Sequence, residues 1–124
     1  MDIFEKLRQW LLERGILPAV DSCALNDGDT GLFPLGMEQV RLKEDVLGNR
    51  VRQMRYIFIL RRTAVPGVDA ATWLLQLQEA AAKHPPQLGE NQQFRAEKGR
   101  LVKNTSTGLG IYELRLIAER EEVL

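Results

Sequence analysis

The chain has 124 residues, of which 44% are hydrophobic and 27% are charged, and its 17 Lys and Arg balance its 17 Asp and Glu. This apolar fraction without net charge excludes an intrinsically disordered chain, and no apolar run approaches the ~18 residues of a membrane span. A chain of this length can bury about two-thirds of its surface around one core. We therefore expect a single domain over residues 1–124, which stays in the cytoplasm because no signal peptide opens the chain.

Apolar residues near the start of the chain predict a helix over residues 3–14. Asp2 is placed to cap the free N–H groups of the first turn, and Gly15 is placed to end the helix in a left-handed conformation. A short strand at 20–25 and a polar turn at 26–31 are expected to follow, since Asn, Asp and Gly favour turns. The helical residues recur at intervals of three and four, which puts them on one face: Ile3, Phe4, Leu7, Trp10 and Leu11.

The clearest signal in the sequence is a β-hairpin in the middle of the chain. An apolar loop at 32–36 is expected to lead into a strand at 37–44, a turn at 45–49 and a long strand at 50–64. Apolar residues occur on both faces of the long strand, which predicts a central position in the sheet. The two alternating sets are Met54, Tyr56, Phe58 and Leu60 on one face, and Arg55, Ile57, Ile59 and Arg61 on the other.

The second half of the chain predicts a helix followed by strands. The helix is expected at 69–83, with Asp69 as its N-terminal cap and with His84 and two prolines at its end. The remaining elements are a strand, a turn and a strand, at residues 92–103, 104–110 and 111–119. This order predicts an α+β fold, with a mainly antiparallel sheet and two helices packed on one face.

The sequence contains no recognisable catalytic or metal-binding motif. His84 is the single histidine and Cys23 the single cysteine, too few for a zinc site, and nothing marks Cys23 or a serine as an activated nucleophile. His84 is better explained as a residue that interacts with the negative end of the second helix. The alternate carboxylates of residues 27–31 lack the closing Glu of a calcium loop. We therefore predict no enzymatic activity, no cofactor and no metal site.

Two features suggest contact with other chains. Residues 50–62 hold five arginines and no acid, whereas residues 1–49 hold five basic and nine acidic side chains. Such separate basic and acidic stretches are consistent with an electrostatic docking surface or with a passage for nucleic acid. They are also consistent with solvated strand faces. The apolar loop at 32–36 can be buried against the chain's own core or against a neighbour. The candidate interface residues are Phe33, Leu35, Arg50, Arg52, Arg61 and Arg62.

The layout as a whole resembles a family. The residues that carry the likeness are the N-terminal helix, the Phe-Pro segment within residues 30–34, the turn Leu47-Gly48-Asn49 and the arm at 52–62. The arm contains the pattern Arg-Gln-x-x-Tyr-x-Phe-x-Leu. Together they resemble the small minor capsid or tail terminator proteins of long-tailed phages and Gram-positive prophages.

The resemblance implies a function without catalysis. Proteins of this family assemble as a ring, commonly a hexamer, on the last ring of the tail tube, where they stop its polymerisation and join it to the head connector. The implied partners are copies of the chain itself, the tail-tube protein and the head–tail connector, with no membrane and no sequence-specific nucleic acid, although DNA would pass through the ring. The implied location is the host bacterial cytoplasm during assembly and then the virion. Two alternatives remain open: a head–tail adaptor or minor capsid protein of the same assembly, and a cytoplasmic regulatory domain that binds nucleic acid through the arginine arm.

Overall fold

The computed structural model describes residues 2–14, 30–44 and 46–124. Within these residues the chain forms two helices and a five-stranded antiparallel sheet, which confirms the predicted α+β fold. The predicted strand at 20–25, the turn residues 26–29, Cys23 and Gly15 lie outside the described residues. In chain order the elements are α1 (Ile3–Glu13), β1 (Thr30–Glu44), β2 (Arg50–Ala64), α2 (Val68–Lys83), β3 (Glu90–Ala96), β4 (Arg100–Asn104) and β5 (Gly110–Val123).

The sheet is built around strands β2 and β5. These strands pair along their whole length, from Val51 opposite Val123 to Ala64 opposite Gly110. β1 pairs with the other edge of β2, while β3 and β4 share the other edge of β5. The prediction that β2 is a central strand is therefore confirmed, and β1 lies at the edge of the sheet.

Both helices pack on one face of the sheet, as the sequence predicts. Leu7 and Leu11 of α1 and Leu77 of α2 are fully buried in the same hydrophobic cluster as Phe58 and Leu60 of β2. The β5 members of this cluster are the alternate residues Tyr112, Leu114, Leu116 and Ala118. The core therefore lies between the helix pair and a single sheet face.

The two helices begin in different ways. The Asp2 carboxylate accepts a hydrogen bond from the Glu5 N–H at 2.8 Å, which confirms the predicted cap of α1. The prediction for α2 is wrong, because Gly67 is its N-cap and Asp69 lies inside the first turn. Gly67 has a φ of 148°, a conformation that favours glycine. The chain turns into the helix at this glycine, so the helix begins at Val68, one residue before Asp69.

The predicted apolar loop at 32–36 is wrong, because these residues are part of strand β1. Leu32 is fully buried opposite Leu60, and Pro34 lies opposite Phe58. The register shifts between Pro34 and Gly36, so Leu35 occupies a β-bulge. Proline and glycine normally interrupt a strand, but an edge strand tolerates both at a bulge because fewer of its N–H groups are needed by neighbours.

The predicted strand at 92–103 is also wrong, since it is divided into β3 and β4. The chain leaves the sheet edge at residues 97–99, where Gly99 comes close to Leu74 of α2. A Cβ atom at position 99 would lie 2.5 Å from Leu74 Cδ2, so any side chain there would displace the Leu74 side chain. The last strand is longer than predicted, since β5 continues to Val123 by pairing with β2. In the described part of the chain, no helix is both long and apolar enough to cross a membrane.

Candidate assembly surface

On the side away from β2, strand β1 presents an edge that no described strand covers. Among the described strands it pairs with β2 alone, and its side chains are exposed from Pro34 to Glu44. An open edge carries unpaired backbone N–H and C=O groups that another strand can use. β1 is therefore a part of the sheet that can receive another chain.

The exposed part of β1 carries four large apolar side chains among polar and charged ones. Leu35 is 52% exposed and Met37 is 69% exposed, and the hairpin turn adds Val46 at 101% and Leu47 at 82%. Single exposed apolar residues are ordinary, but several of them on one exposed strand favour contact with another chain. We call these four strand residues the apolar edge: Leu35, Met37, Val40 and Leu42.

Two β-bulges shape the apolar edge. The register with β2 shifts between Pro34 and Gly36 and again between Gln39 and Arg41, so Leu35 and Val40 are the additional residues. Bulges increase the local twist and hinder indiscriminate strand pairing. A partner for this edge must therefore match its twist and its side chains.

A groove of about 420 Å³ lies beside the apolar edge, between β1 and the first turn of α1. Ile3 and Phe4 of the helix form one wall, and Leu35 and Met37 of the strand form the other. Asp2 is the only charged side chain among the described residues that line the groove. Such a lining favours an apolar side chain over a polar ligand.

Three of the five arginines of β2 form ion pairs with acids on neighbouring strands. The charge of these three is therefore balanced across the sheet, and a nucleic-acid surface would need it free. The sequence could not indicate this pairing, because most of the acids follow more than fifty residues later. The pairs are Arg52 with Glu122 at 3.1 Å, Arg55 with Glu119 at 2.7 Å and with Glu38 at 2.8 Å, and Arg61 with Glu113.

Glu122 is the centre of a polar cluster at one end of the sheet. Its carboxylate accepts hydrogen bonds from the Tyr56 hydroxyl, from Arg52 and from Arg120 Nε, the last at 3.0 Å. Partial burial acts to raise the pKa of Glu122, but these three donors outweigh it and hold the pKa below its ordinary value. Burial raises the pKa of Tyr56, and its hydrogen bond to Glu122 raises it further. The guanidinium of Arg120 also lies 5.4 Å from the centre of the Tyr56 ring.

The six candidate interface residues do not form one surface. Leu35 lines the groove, whereas Phe33 is half-buried opposite Ile59 on the sheet face away from the helices. Arg52 and Arg61 are held in ion pairs, and Arg50 is exposed at the start of β2. Arg62 stacks over the Trp73 ring, with its guanidinium carbon 5.4 Å from the ring centre. Of the six, Leu35 alone belongs to the apolar edge.

His84 has a structural place at the end of α2. It is the C-cap residue, as predicted, and its carbonyl oxygen accepts a hydrogen bond from Trp10 Nε1 at 2.7 Å. No group of three or more His, Cys, Asp or Glu in the described ranges is arranged to hold a metal ion.

Comparison of the sequence with models of protein families and with curated protein sequences finds no match. The likeness to phage tail terminators therefore rests on the order of the elements and on the hairpin arm. The apolar edge and the groove beside it were not apparent from the sequence, because both depend on the edge position of β1.

Proposed function

We propose that this chain is a non-enzymatic virion assembly protein of a long-tailed phage or prophage. It acts as a tail terminator that closes into a ring, commonly of six subunits, on the last ring of the tail tube. The ring stops polymerisation of the tube and joins it to the head connector. The observation that carries the proposal is the apolar edge on the outermost strand of the sheet.

The apolar edge supports self-assembly for a physical reason. Large apolar side chains on an exposed strand are stabilised when another chain covers them, and the backbone groups of β1 that no described strand pairs add hydrogen bonds to that contact. Val46 and Leu47 expose a second apolar patch at the hairpin turn. A contact between the turn of one copy and the groove of the next joins two different patches, and such a heterologous interface forms a ring when the rotation between successive copies closes.

In this proposal the chain binds copies of itself, the tail-tube protein and the head connector, and passes from the host cytoplasm into the virion. A head–tail adaptor of the same assembly would use the apolar edge but would leave the length of the tail tube unchanged. A nucleic-acid-binding domain has less support, since Arg52, Arg55 and Arg61 are paired with acids.

Tube length tests the proposal most specifically. The tail-tube protein of the same phage or prophage is polymerised with and without the chain, and tube lengths are measured by negative-stain electron microscopy. We expect shorter tubes with the wild type and full-length tubes with the double variant Leu35→Ser/Met37→Ser. Leu101→Ser is the matched control, since Leu101 is exposed on the opposite edge strand. Tubes of unchanged length with the folded wild type would refute the terminator function.

A further inference from the structure

A second pocket lies at the beginning of α2, on a different part of the molecule from the apolar edge. Its volume is about 350 Å³, and its lining consists of Arg62, Trp73 and the segment 64–70. The turn before α2 and the end of β2 therefore form a cavity that is separate from the apolar edge.

Two buried donors at this pocket lack a hydrogen-bond partner among the described residues. They are Arg62 Nε and Trp73 Nε1, and the Trp73 side chain is only 6% exposed. Buried polar groups in folded proteins are nearly always satisfied, so each exception requires an explanation. Guanidinium and indole nitrogens donate and do not accept, so the missing partner is a hydrogen-bond acceptor.

The charges around the pocket favour a negatively charged acceptor. Arg62 forms no ion pair with any described residue, unlike Arg52, Arg55 and Arg61 of the same strand. Its guanidinium is held over the Trp73 ring, which restricts its orientation. The first turn of α2 lines the same pocket, and no side chain caps the N–H groups there. A helix N-terminus carries a partial positive charge and attracts anions.

Asp69 narrows the choice of anion. It lies in the first turn of α2 and lines the pocket, so its negative charge repels a dianion such as phosphate more strongly than it repels a monoanion. A carboxylate carries a single charge, and its two oxygens match the planar fork of an arginine. The arrangement therefore suits a carboxylate better than a phosphate.

We propose that the pocket formed by Arg62, Trp73 and the start of α2 binds a carboxylate group. The carboxylate belongs either to an acidic side chain of a partner protein or to a small free acid. In both cases it accepts hydrogen bonds from Arg62 and from the Trp73 indole. This site is independent of the proposed function, because none of its residues belongs to the apolar edge.

Nuclear magnetic resonance tests the site through the indole N–H of Trp73. Sodium acetate is added to the wild-type protein at constant ionic strength, with sodium chloride as the balancing salt. We expect a saturable shift of the Trp73 indole signal, assigned by its loss in Trp73→Phe. Arg62→Gln should weaken acetate binding at least tenfold, while Arg62→Lys, which keeps the charge but loses the fork, should weaken it less. Arg50→Gln is the matched control, since Arg50 lies outside the pocket, and it should bind acetate like the wild type.

Other outcomes would overturn the proposal. They are the absence of a shift beyond that caused by chloride, an equal shift in Arg62→Gln, and tighter binding of inorganic phosphate than of acetate. Thermal unfolding of each variant is the control: a variant that unfolds near the wild-type temperature is folded, so any loss of acetate binding is then due to the binding site. Once acetate binding is established, light scattering shows whether the natural carboxylate comes from a partner copy. A smaller assembly in Arg62→Gln indicates an acidic side chain of a partner copy, and an unchanged assembly indicates a ligand other than a partner copy.

Discussion

The indole N–H of Trp10 in α1 donates a hydrogen bond to the backbone carbonyl oxygen of His84 at the end of α2, at 2.7 Å. The Trp10 ring also meets Phe94 of β3 edge to face, with 5.4 Å between ring centres. One side chain thus ties the first helix to the second helix and to the sheet. The hydrogen bond fixes the end of α2, where Pro85 and Pro86 prevent the helix from continuing.

This link predicts a measurable loss of stability in Trp10→Phe. The variant keeps an aromatic ring but leaves the His84 carbonyl oxygen without its donor, so we expect the free energy of unfolding to fall by about 1–3 kcal/mol. Trp10→Ala also removes the packing against Phe94 and should cost about 3–5 kcal/mol. Urea unfolding followed by circular dichroism measures both. Equal stability of Trp10→Phe and the wild type would show that the hydrogen bond contributes nothing.

The cluster around Glu122 predicts that part of the stability depends on pH. The pKa of Glu122 is lowered in the folded protein, so its stabilising effect is present above its ordinary pKa, about 4.3, and is lost as the pH falls through the lower folded value. Glu122→Gln should therefore reduce the free energy of unfolding by about 1–3 kcal/mol at pH 7. The difference from the wild type should shrink steadily below about pH 4.

The matched variant for this cluster is Tyr56→Phe, which removes one donor but keeps the acid. It should destabilise the protein at neutral pH and retain an acid-dependent loss of stability, because Arg52 and Arg120 still hold Glu122. The pKa of Tyr56 is raised, so its own contribution is present below its ordinary pKa and is lost at higher pH. A difference between Glu122→Gln and the wild type that stays constant from pH 7 to pH 3 would contradict this account.

The close approach of Gly99 to α2 predicts that position 99 does not tolerate a side chain. In Gly99→Ala the new Cβ would lie 2.5 Å from Leu74 Cδ2, and Leu74 is buried, so we expect a loss of about 1–3 kcal/mol. Gly36→Ala is the control, because no heavy atom lies within 4 Å of the Cβ position there. Thermal unfolding compares the two. If both variants unfold at the same temperature, the close approach of Gly99 to Leu74 does not limit which residue can occupy position 99.

Much of the fold could be predicted from local patterns, as β2 illustrates. Its apolar residues alternate on both faces, which indicates a central strand without knowledge of its neighbours. The prediction of a loop at 32–36 was wrong because Pro34 and Gly36 normally interrupt a strand, except at a bulge on an edge strand. Edge position is a property of the whole sheet and cannot be read from the segment itself. The prediction of one continuous strand at 92–103 was wrong for a similar reason, since the approach of Gly99 to Leu74 joins residues of different elements.

The candidate sites were less predictable than the fold. The arginines of β2 look like a free positive surface in the sequence, because the acids of β5 that neutralise them are distant along the chain. The pairing of Arg62 with Trp73 likewise joins β2 to α2. Leu35 was identified as an interface candidate on the basis of a loop that is a strand, and its place in the groove follows from the bulge.

The mass of the purified protein in solution tests self-assembly through the apolar edge most directly. Light scattering is measured over a concentration series for the wild type, for Leu35→Ser/Met37→Ser and for the control Leu101→Ser. We expect the wild type and the control to rise from the 14.1 kDa subunit to a plateau of several subunits, and the double variant to remain a folded monomer. A wild type that stays monomeric at every concentration, or a double variant that assembles like the wild type, would contradict the account.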